Sequence, residues 1–218
     1  MSRFEEMKAT VAEMLQGIER YNPDNLSTLE EYIAVQAKEN AYDLEANLSV
    51  LRLYQFTPSL YQSHVVVKIL LKSLTNLPHT DFVLCKCLMT QEKLEEQAIK
   101  HIMYMAELLE TCKFSLFWKE LSQCRDLIEG VTGFEDAIRK FISHVVNATY
   151  QHIELPVLRD LLGIVNDAAL KQWIVRNGWK DLGDGRVFIG NQEDLVKTKN
   201  ITEKIEFDSV AGIMAHCI

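Results

Sequence analysis

Cys85-Lys86-Cys87 places two thiols two residues apart. Paired zinc ligands use C-x-x-C spacing, which this run lacks. On a helix such neighbours diverge, so both are read as apolar helix positions, as are Cys112 and Cys124. His101 and Glu107 are separated by a full apolar helix face, and nothing matches H-E-x-x-H. His144 and His152 stand eight apart, with no acid or nucleophile at a useful step. His152 is expected to cap a helix end, where a donor or cation is favoured. Glu92, Glu95 and Glu96 read as a solvated helix start near the positive end of its dipole. The sequence holds no G-x-S-x-G, no phosphate-cradling loop and no dinucleotide fingerprint. No catalytic, cofactor or metal residue is assigned, and the chain is read as a non-enzyme.

Phosphate binding is the chemistry that remains, and its candidates are Lys171, Arg176, Lys180 and Arg186. The elements that would position them run from Phe134 to Ile189. Phe134, Ala137, Ile138, Phe141, Ile142, Val145 and Val146 recur at helical spacing, so one face of a helix ending near Gln151 is apolar. Arg139, Lys140, Ser143 and Asn147 fall opposite. Pro156 suits the first turn of a second helix, with Val157, Leu158, Leu161 and Leu162 on its apolar side and Gly163 ending it. Asn166 is a good N-cap for a third helix, which buries Leu170, Trp173 and Ile174 and ends at Gly178. Trp179 to Leu182 reads as a strand, Gly183-Asp184-Gly185 as a turn, and Arg186 to Ile189 as the return strand. Three helices and a β-hairpin in this order outline a winged helix.

A winged helix either reads nucleic acid or docks protein. In the first case its third helix presents cations and amides to a groove. Here the face opposite Trp173 carries Ala168, Lys171, Gln172 and Val175. From Phe134 to Asn191 seven acids balance seven bases, whereas phosphate contacts require a basic excess on one face. Protein docking is therefore the preferred reading. A nucleic-acid-binding winged helix using Lys171, Arg176, Lys180 and Arg186 is the alternative.

The 218 residues carry a formal charge of −8 and are 48% hydrophobic, enough for a full core. The excess acid lies in residues 1–133, with 19 acids against 13 bases. That imbalance disfavours anionic partners and membrane surfaces. No run of about 18 apolar residues predicts a membrane span, and the amino terminus does not read as a secretory signal. Five cysteines, an odd number, fit a reducing compartment. The chain is expected in the cytoplasm.

Ahead of the winged helix the sequence is helical throughout. Phe4, Met7, Val11, Met14, Leu15 and Ile18 mark a first helix. A second opens on a Ser27–Glu30 capping box and buries Leu29, Ile33 and Ala37. Asp43 caps a third, with Leu44, Leu48, Leu51 and Tyr54. Thr57-Pro58 opens a fourth, with Val65, Ile69, Leu70 and Leu74 inward. A fifth runs from Asp81 through Leu84 and Leu88. A sixth covers Glu92 to Glu110, burying Ile99, Met103, Ala106 and Leu109. A seventh covers Phe114 to Gln123. One helix and turn take about 18 residues, so a hairpin takes about 36, the unit length of stacked helical hairpins.

After Asn191 the tail turns polar. Ile201, Ile205, Phe207, Val210, Ile213 and Met214 then mark a terminal amphipathic helix that must pack back or meet a partner. Arg186, Val187, Phe188 and Ile189 are expected to form the outer, unpaired strand of the wing, open to strand addition. With Val210, Ile213 and Met214 they make up the predicted partner surface.

The runs RYNPDNLSTLEEY from Arg20, QAKENAYDLEANLSVLRLYQF from Gln36 and LTNLPHTDFVLCKC from Leu74 are distinctive. So are LLETCKFSLFW from Leu108, GFEDAIRKFISHVVNATYQHI from Gly133 and KIEFDSVAGIMA from Lys204. On these the chain resembles the k-subunit family of eukaryotic translation initiation factor 3. The resemblance implies a mainly α fold: a HEAT-like helical repeat domain over 1–131, then a PCI-related winged-helix domain over 132–191 with a small β-hairpin, then a tail over 192–218 with a C-terminal amphipathic helix. It implies a non-catalytic scaffold subunit in a complex that binds the 40S ribosomal subunit and recruits mRNA. It also implies subunit l of that factor as nearest partner, with subunit c as a further contact. No site residue is carried over from it.

Overall fold

The computed structural model describes residues 2–191 and, beyond them, 210, 211, 214 and 215. The first eight helices are α1 (Arg3–Met14), α2 (Leu26–Lys38), α3 (Leu44–Phe56), α4 (Ser63–Leu74), α5 (Asp81–Cys87), α6 (Gln91–Leu94), α7 (Gln97–Glu110) and α8 (Phe114–Gln123). Three more, α9 (Phe134–Thr149), α10 (Leu155–Leu162) and α11 (Asp167–Arg176), share the second half with strands β1 (His152–Glu154), β2 (Lys180–Asp181) and β3 (Arg186–Phe188).

Apolar residues at three- and four-residue steps drive the first half. In α2 they are Leu29, Ile33 and Ala37; in α4, the most enclosed, they extend to Val65, Val66, Ile69, Leu70, Leu71 and Leu74. Helices α2, α4 and α7 form an inner row in which each packs on the next. Helices α1 and α3 lie against α2, and α5 packs on both α3 and α4. This is the side-by-side stacking of hairpins that the helix spacing predicts.

Tyrosine–carboxylate bonds tie the stack together. The hydroxyl of Tyr32 donates to Asp43 at 3.2 Å, and Asp43 caps α3 by accepting from Ala46 N at 3.2 Å. Tyr42 donates to Asp81 at 2.7 Å, Tyr54 to Glu30 at 2.6 Å and Tyr61 to Glu96 at 3.1 Å. Burial first, and the adjacent carboxylate second, push all four phenols up, Tyr61 to about 12 and the others further. Burial also pushes Glu96 upward, but bonds from Ser63, Lys93 and Tyr61 outweigh it and leave its carboxyl below the ordinary range.

A phenol raised in the fold keeps its proton while the unfolded chain loses it. Stability is therefore intact below the ordinary tyrosine pKa of 10.0 and falls as pH rises beyond it. The helical half is expected to unfold cooperatively at alkaline pH, with phenolate absorbance at 295 nm rising in step with loss of far-UV ellipticity. Phenolate absorbance that exceeds the share of the three exposed tyrosines, Tyr21, Tyr104 and Tyr150, before the helices melt would show that these four hydroxyls are not sequestered.

Several local expectations in this half are corrected. Helix α2 starts at Leu26 behind Asn25, without a side-chain cap, because Glu30 is used instead by Tyr54 and Gln62. Pro58 opens a 3-10 turn, and α4 begins at Ser63. Helix α5 stops at Cys87, and Leu84 is exposed. The single helix expected over Glu92–Glu110 is two, α6 and α7, broken at Glu95–Glu96, where Glu96 turns back to Ser63 and Tyr61. Ile18 is exposed rather than inward.

In the second half, α9 buries Phe134, Ile138, Ile142 and Val146. Pro156 lies in the first turn of α10, and Gly163 ends it with φ 61°. Asn166 caps α11 by accepting from Ala168 N at 2.9 Å, and Leu170, Trp173 and Ile174 are buried. This matches the sequence reading, except that Val157, expected on the apolar side of α10, is 40% exposed. Ser143, expected on the polar face of α9, is buried, and its hydroxyl accepts from Trp173 Nε1 at 2.9 Å.

The sheet departs from a simple hairpin. It has three antiparallel strands in the order β1-β3-β2, with Ile153 opposite Val187 on one side and Asp181 opposite Val187 on the other. His152 belongs to β1, and its ring lies 5.1 Å from that of Phe188, tilted by 60°; it does not cap α9. The strand expected over Trp179–Leu182 is confined to Lys180–Asp181, because Trp179 turns inward and donates its Nε1 to Asn147 at 2.7 Å. Arg186–Ile189 is not an outer strand: β3 is the centre of the sheet.

The two halves share one contiguous cluster of buried apolar side chains. Thr132 N donates to Ala37 O at 2.9 Å, α4 packs on α9, and α8 packs on α10. At the last seam Trp118 Nε1 donates to Leu161 O at 2.8 Å, and the Arg139 guanidinium lies 4.9 Å from the Trp118 ring.

Candidate docking surface

Helix α11 is held by its buried face and presents the rest outward. Ala168, Ala169, Lys171, Gln172, Val175 and Arg176 are all exposed. Val175 is 76% exposed, and Val165, in the turn before α11, is 91% exposed. Leu182 beside the wing is 48% exposed. Isolated exposed apolar side chains are ordinary; these three sit on α11 or in the segments that flank it.

The four candidate phosphate-binding cations do not form one set. Arg186 is engaged by Asp184 within the turn, its Nε donating at 2.9 Å. This bond from Arg186 holds the Asp184 carboxyl below its ordinary range, and Asp184 in turn raises the guanidinium. Arg176 lies 5.3 Å from the ring of Trp173. Lys171 and Lys180 are exposed. Two committed arginines and two lysines on different elements make a weak phosphate grip.

Two grooves flank the base of α11 and share Arg139 and the Gly163–Val165 turn. One, of about 460 Å³, opens toward Trp118, Lys119 and Arg125 of the α8 region. The other, of about 530 Å³, runs along Ala169, Gln172 and Arg176. Arg139 at their junction is tied to Glu135 at 2.8 Å and to Asp136 at 3.2 Å, so it braces the seam.

The predicted partner residues separate on this geometry. Val187 is fully buried, Ile189 is 9% exposed and Phe188 is half-buried, so these three belong to the module's own packing. Arg186 is exposed. A proline at Val187 would interrupt the central strand rather than an edge. The true edges are β1, which lies against α10, and β2, which is two charged residues long. A short, charged edge is poorly suited to strand addition. Val210 is half-buried and Met214 is 55% exposed, both in helical conformation, and Ile213 lies outside the described residues. The surface around Val165 and Val175 was not picked out as a docking candidate from sequence, although Val175 had been placed on the outward face of α11.

The residues singled out for chemistry are dispersed. Cys85 is buried, which pushes its thiol up to about 12, whereas Cys87 and Cys112 are exposed and Cys124 is half-buried. The last three therefore depart from the buried apolar role expected of them. Cys112 sits at φ 57° just beyond α7. Among the described residues no group of three His, Cys, Asp or Glu is placed to hold a metal ion. No helix among them is long and apolar enough to cross a membrane.

Comparison with known proteins gives a consistent picture. The family model for CSN8/PSMD8/EIF3K matches residues 60–200. The chain is 57% identical over 215 residues to "Eukaryotic translation initiation factor 3 subunit K" of Homo sapiens, covering 99% of each. It is 56% identical over 215 residues to the protein of that name in Xenopus tropicalis, again covering 99% of each. The Drosophila erecta protein of that name is 52% identical over 209 residues, which is 96% of this chain and 94% of that one. These are names of initiation-factor subunits and not of enzymes.

Proposed function

Since the chain belongs to the CSN8/PSMD8/EIF3K family, within its translation initiation factor 3 subunit K branch, we propose that it acts as a non-catalytic scaffold subunit of that factor. In this role it supports assembly of the complex that binds the 40S ribosomal subunit and recruits mRNA. Subunit l is the proposed nearest partner and subunit c a further contact, both on the strength of the k-subunit resemblance. Any ribosome contact is made through the complex.

The outward face of α11 is the observation that supports this reading. Val175 on that face is 76% exposed, and Val165 in the turn before it is 91% exposed. Exposed apolar side chains mixed with Lys171, Gln172 and Arg176 suit a protein contact with an apolar centre and a polar rim. Val210 and Met214 are further proposed partner residues. Free-edge strand pairing is not part of it.

Val165→Glu combined with Val175→Glu buries two carboxylates in such an interface and leaves the core untouched. The pair is expected to reduce co-purification with subunit l at least tenfold at an unchanged melting temperature, with Met214→Glu adding to the loss. Full retention of subunit l by the triple variant would sink the assignment of this surface. The isolated protein is expected to bind short RNA only non-specifically, at roughly 10⁻⁴ M or weaker at physiological salt. A sequence-selective complex at micromolar affinity would instead favour the nucleic-acid reading.

A further inference from the structure

Lys72 lies in the last turn of α4 and is only 2% exposed. It continues the inward face of Val65 and Ile69 by three- and four-residue steps. Its ammonium has one hydrogen-bond partner, Asn40 Oδ1 at 3.2 Å. Among the described residues no carboxylate forms an ion pair with it. An ammonium has three donors, and one amide oxygen does not balance a buried charge. Burial accordingly lowers its pKa from the ordinary lysine value.

Lys72 faces a cavity of about 350 Å³ between the α2–α3 connection, the end of α4 and the flank of α9. Lys140 and His144, one turn apart on α9, line it as well, and among the described residues no Asp or Glu lines it. Both are exposed, and neither takes part in an ion pair among the described residues. The nearby acids are occupied. Asp81 accepts from Tyr42 at 2.7 Å and from Asn76 at 2.6 Å, and Asp136 is paired with Arg139. The end of α4 contributes carbonyls, but Thr75 Oγ1 satisfies that of Lys72 at 2.6 Å, and the backbone N–H groups of Thr75 and Asn76 take Leu71 and Ser73.

We propose that this cavity binds a phosphate-class oxyanion, with Lys72 at its floor and Lys140 and His144 at its rim. Two lysines and an imidazole facing one cavity suit a dianion, whereas a single carboxylate would engage fewer of these donors. Lysine grips phosphate as a point charge and needs no bidentate geometry. The occupant neutralises Lys72 and bridges α4 to α9, so it fastens the helical stack to the winged helix. The ion itself comes either as free phosphate or as a phosphate monoester on a peptide.

The test is a thermal melt and a calorimetric titration of the full chain in phosphate-free buffer. Inorganic phosphate, phosphoserine and chloride are compared at matched ionic strength. Phosphate is expected to raise the melting temperature saturably, half-saturating below about 10 mM. Lys72→Met should abolish that response and melt at or above the wild-type temperature without phosphate, because the uncompensated charge is gone. Lys140→Gln with His144→Gln, both at exposed positions, should weaken phosphate binding at least tenfold. A response to phosphoserine matching or exceeding that to phosphate identifies an ester as the occupant; a response to inorganic phosphate alone identifies the free ion. A wild-type response no larger than that to chloride overturns the proposal. So does an undiminished phosphate response in Lys72→Met or, should that variant fail to fold, undiminished affinity in the rim variant.

Discussion

Trp173→Ala is expected to destabilise the protein by about 3–5 kcal/mol, as removal of a buried tryptophan commonly does. Trp173 is 8% exposed and lies on α11 with Leu170 and Ile174. Its indole nitrogen is bonded to the buried Ser143 hydroxyl, and its ring carries Arg176. Alanine would leave a cavity where α11 meets α9 and would strip Ser143 of its donor. Chemical denaturation read by far-UV ellipticity should show a lower midpoint, and Trp173→Phe should recover most of the loss. A midpoint unchanged in Trp173→Ala would mean that the indole is not part of the core.

Gly163→Ala carries the second large effect. Gly163 has φ 61°, which any L side chain adopts at a cost of about 1–2 kcal/mol. An added Cβ would also lie 2.5 Å from Cδ2 of Trp118. That ring cannot withdraw freely, because its nitrogen holds Leu161 O and its face carries Arg139. Strain and overpacking together are expected to cost about 3 kcal/mol. Since Trp118 belongs to α8 and Gly163 to the α10–α11 turn, the damage falls on the seam between the halves. Hydrogen exchange should therefore speed up in α8 and α10 more than in α2 and α4. A second variant, Trp118→Leu in the Gly163→Ala background, should recover part of the loss by removing the obstructing ring. A melt within about 1 kcal/mol of wild type for Gly163→Ala alone would show that the ring gives way.

Local chemistry was legible in the sequence wherever one residue's own backbone preference decides the outcome. Asn166 caps α11, Asp43 caps α3 and Gly163 ends α10 as their types predict. The periodic apolar faces of α9 and α11 were legible for the same reason, since burial follows helical spacing. Strand β1 was not, because three residues carry too little alternation to stand out beside a helix end. Its pairing with β3 is a tertiary event that joins residues more than thirty positions apart. The order of strands in the sheet followed from that missing element, and so did the mistaken reading of Arg186–Ile189 as an edge. Ser143 was misplaced because its burial depends on the distant Trp173 needing an acceptor. Lys72 did leave a trace: a lysine at the inward step of SHVVVKILLKSL, the most apolar helix of the first half.

The three-stranded sheet also sets the order in which this half can be completed during synthesis. Strand β1 leaves the ribosome before α10 and α11, yet its partner β3 follows both. A nascent chain emerged as far as Gly178 has all three helices but no strand to receive Ile153. Val187 and Ile189, both buried in the finished fold, are then still absent. The packing of α1 to α8 on one another needs only sequence already made, apart from the faces of α4 and α8 that meet α9 and α10, whereas the winged helix stays open until its last strand arrives. Vectorial folding therefore leaves β1, with Ile153, unpaired until the last strand arrives, and it is this stretch that a chaperone at the tunnel exit would meet.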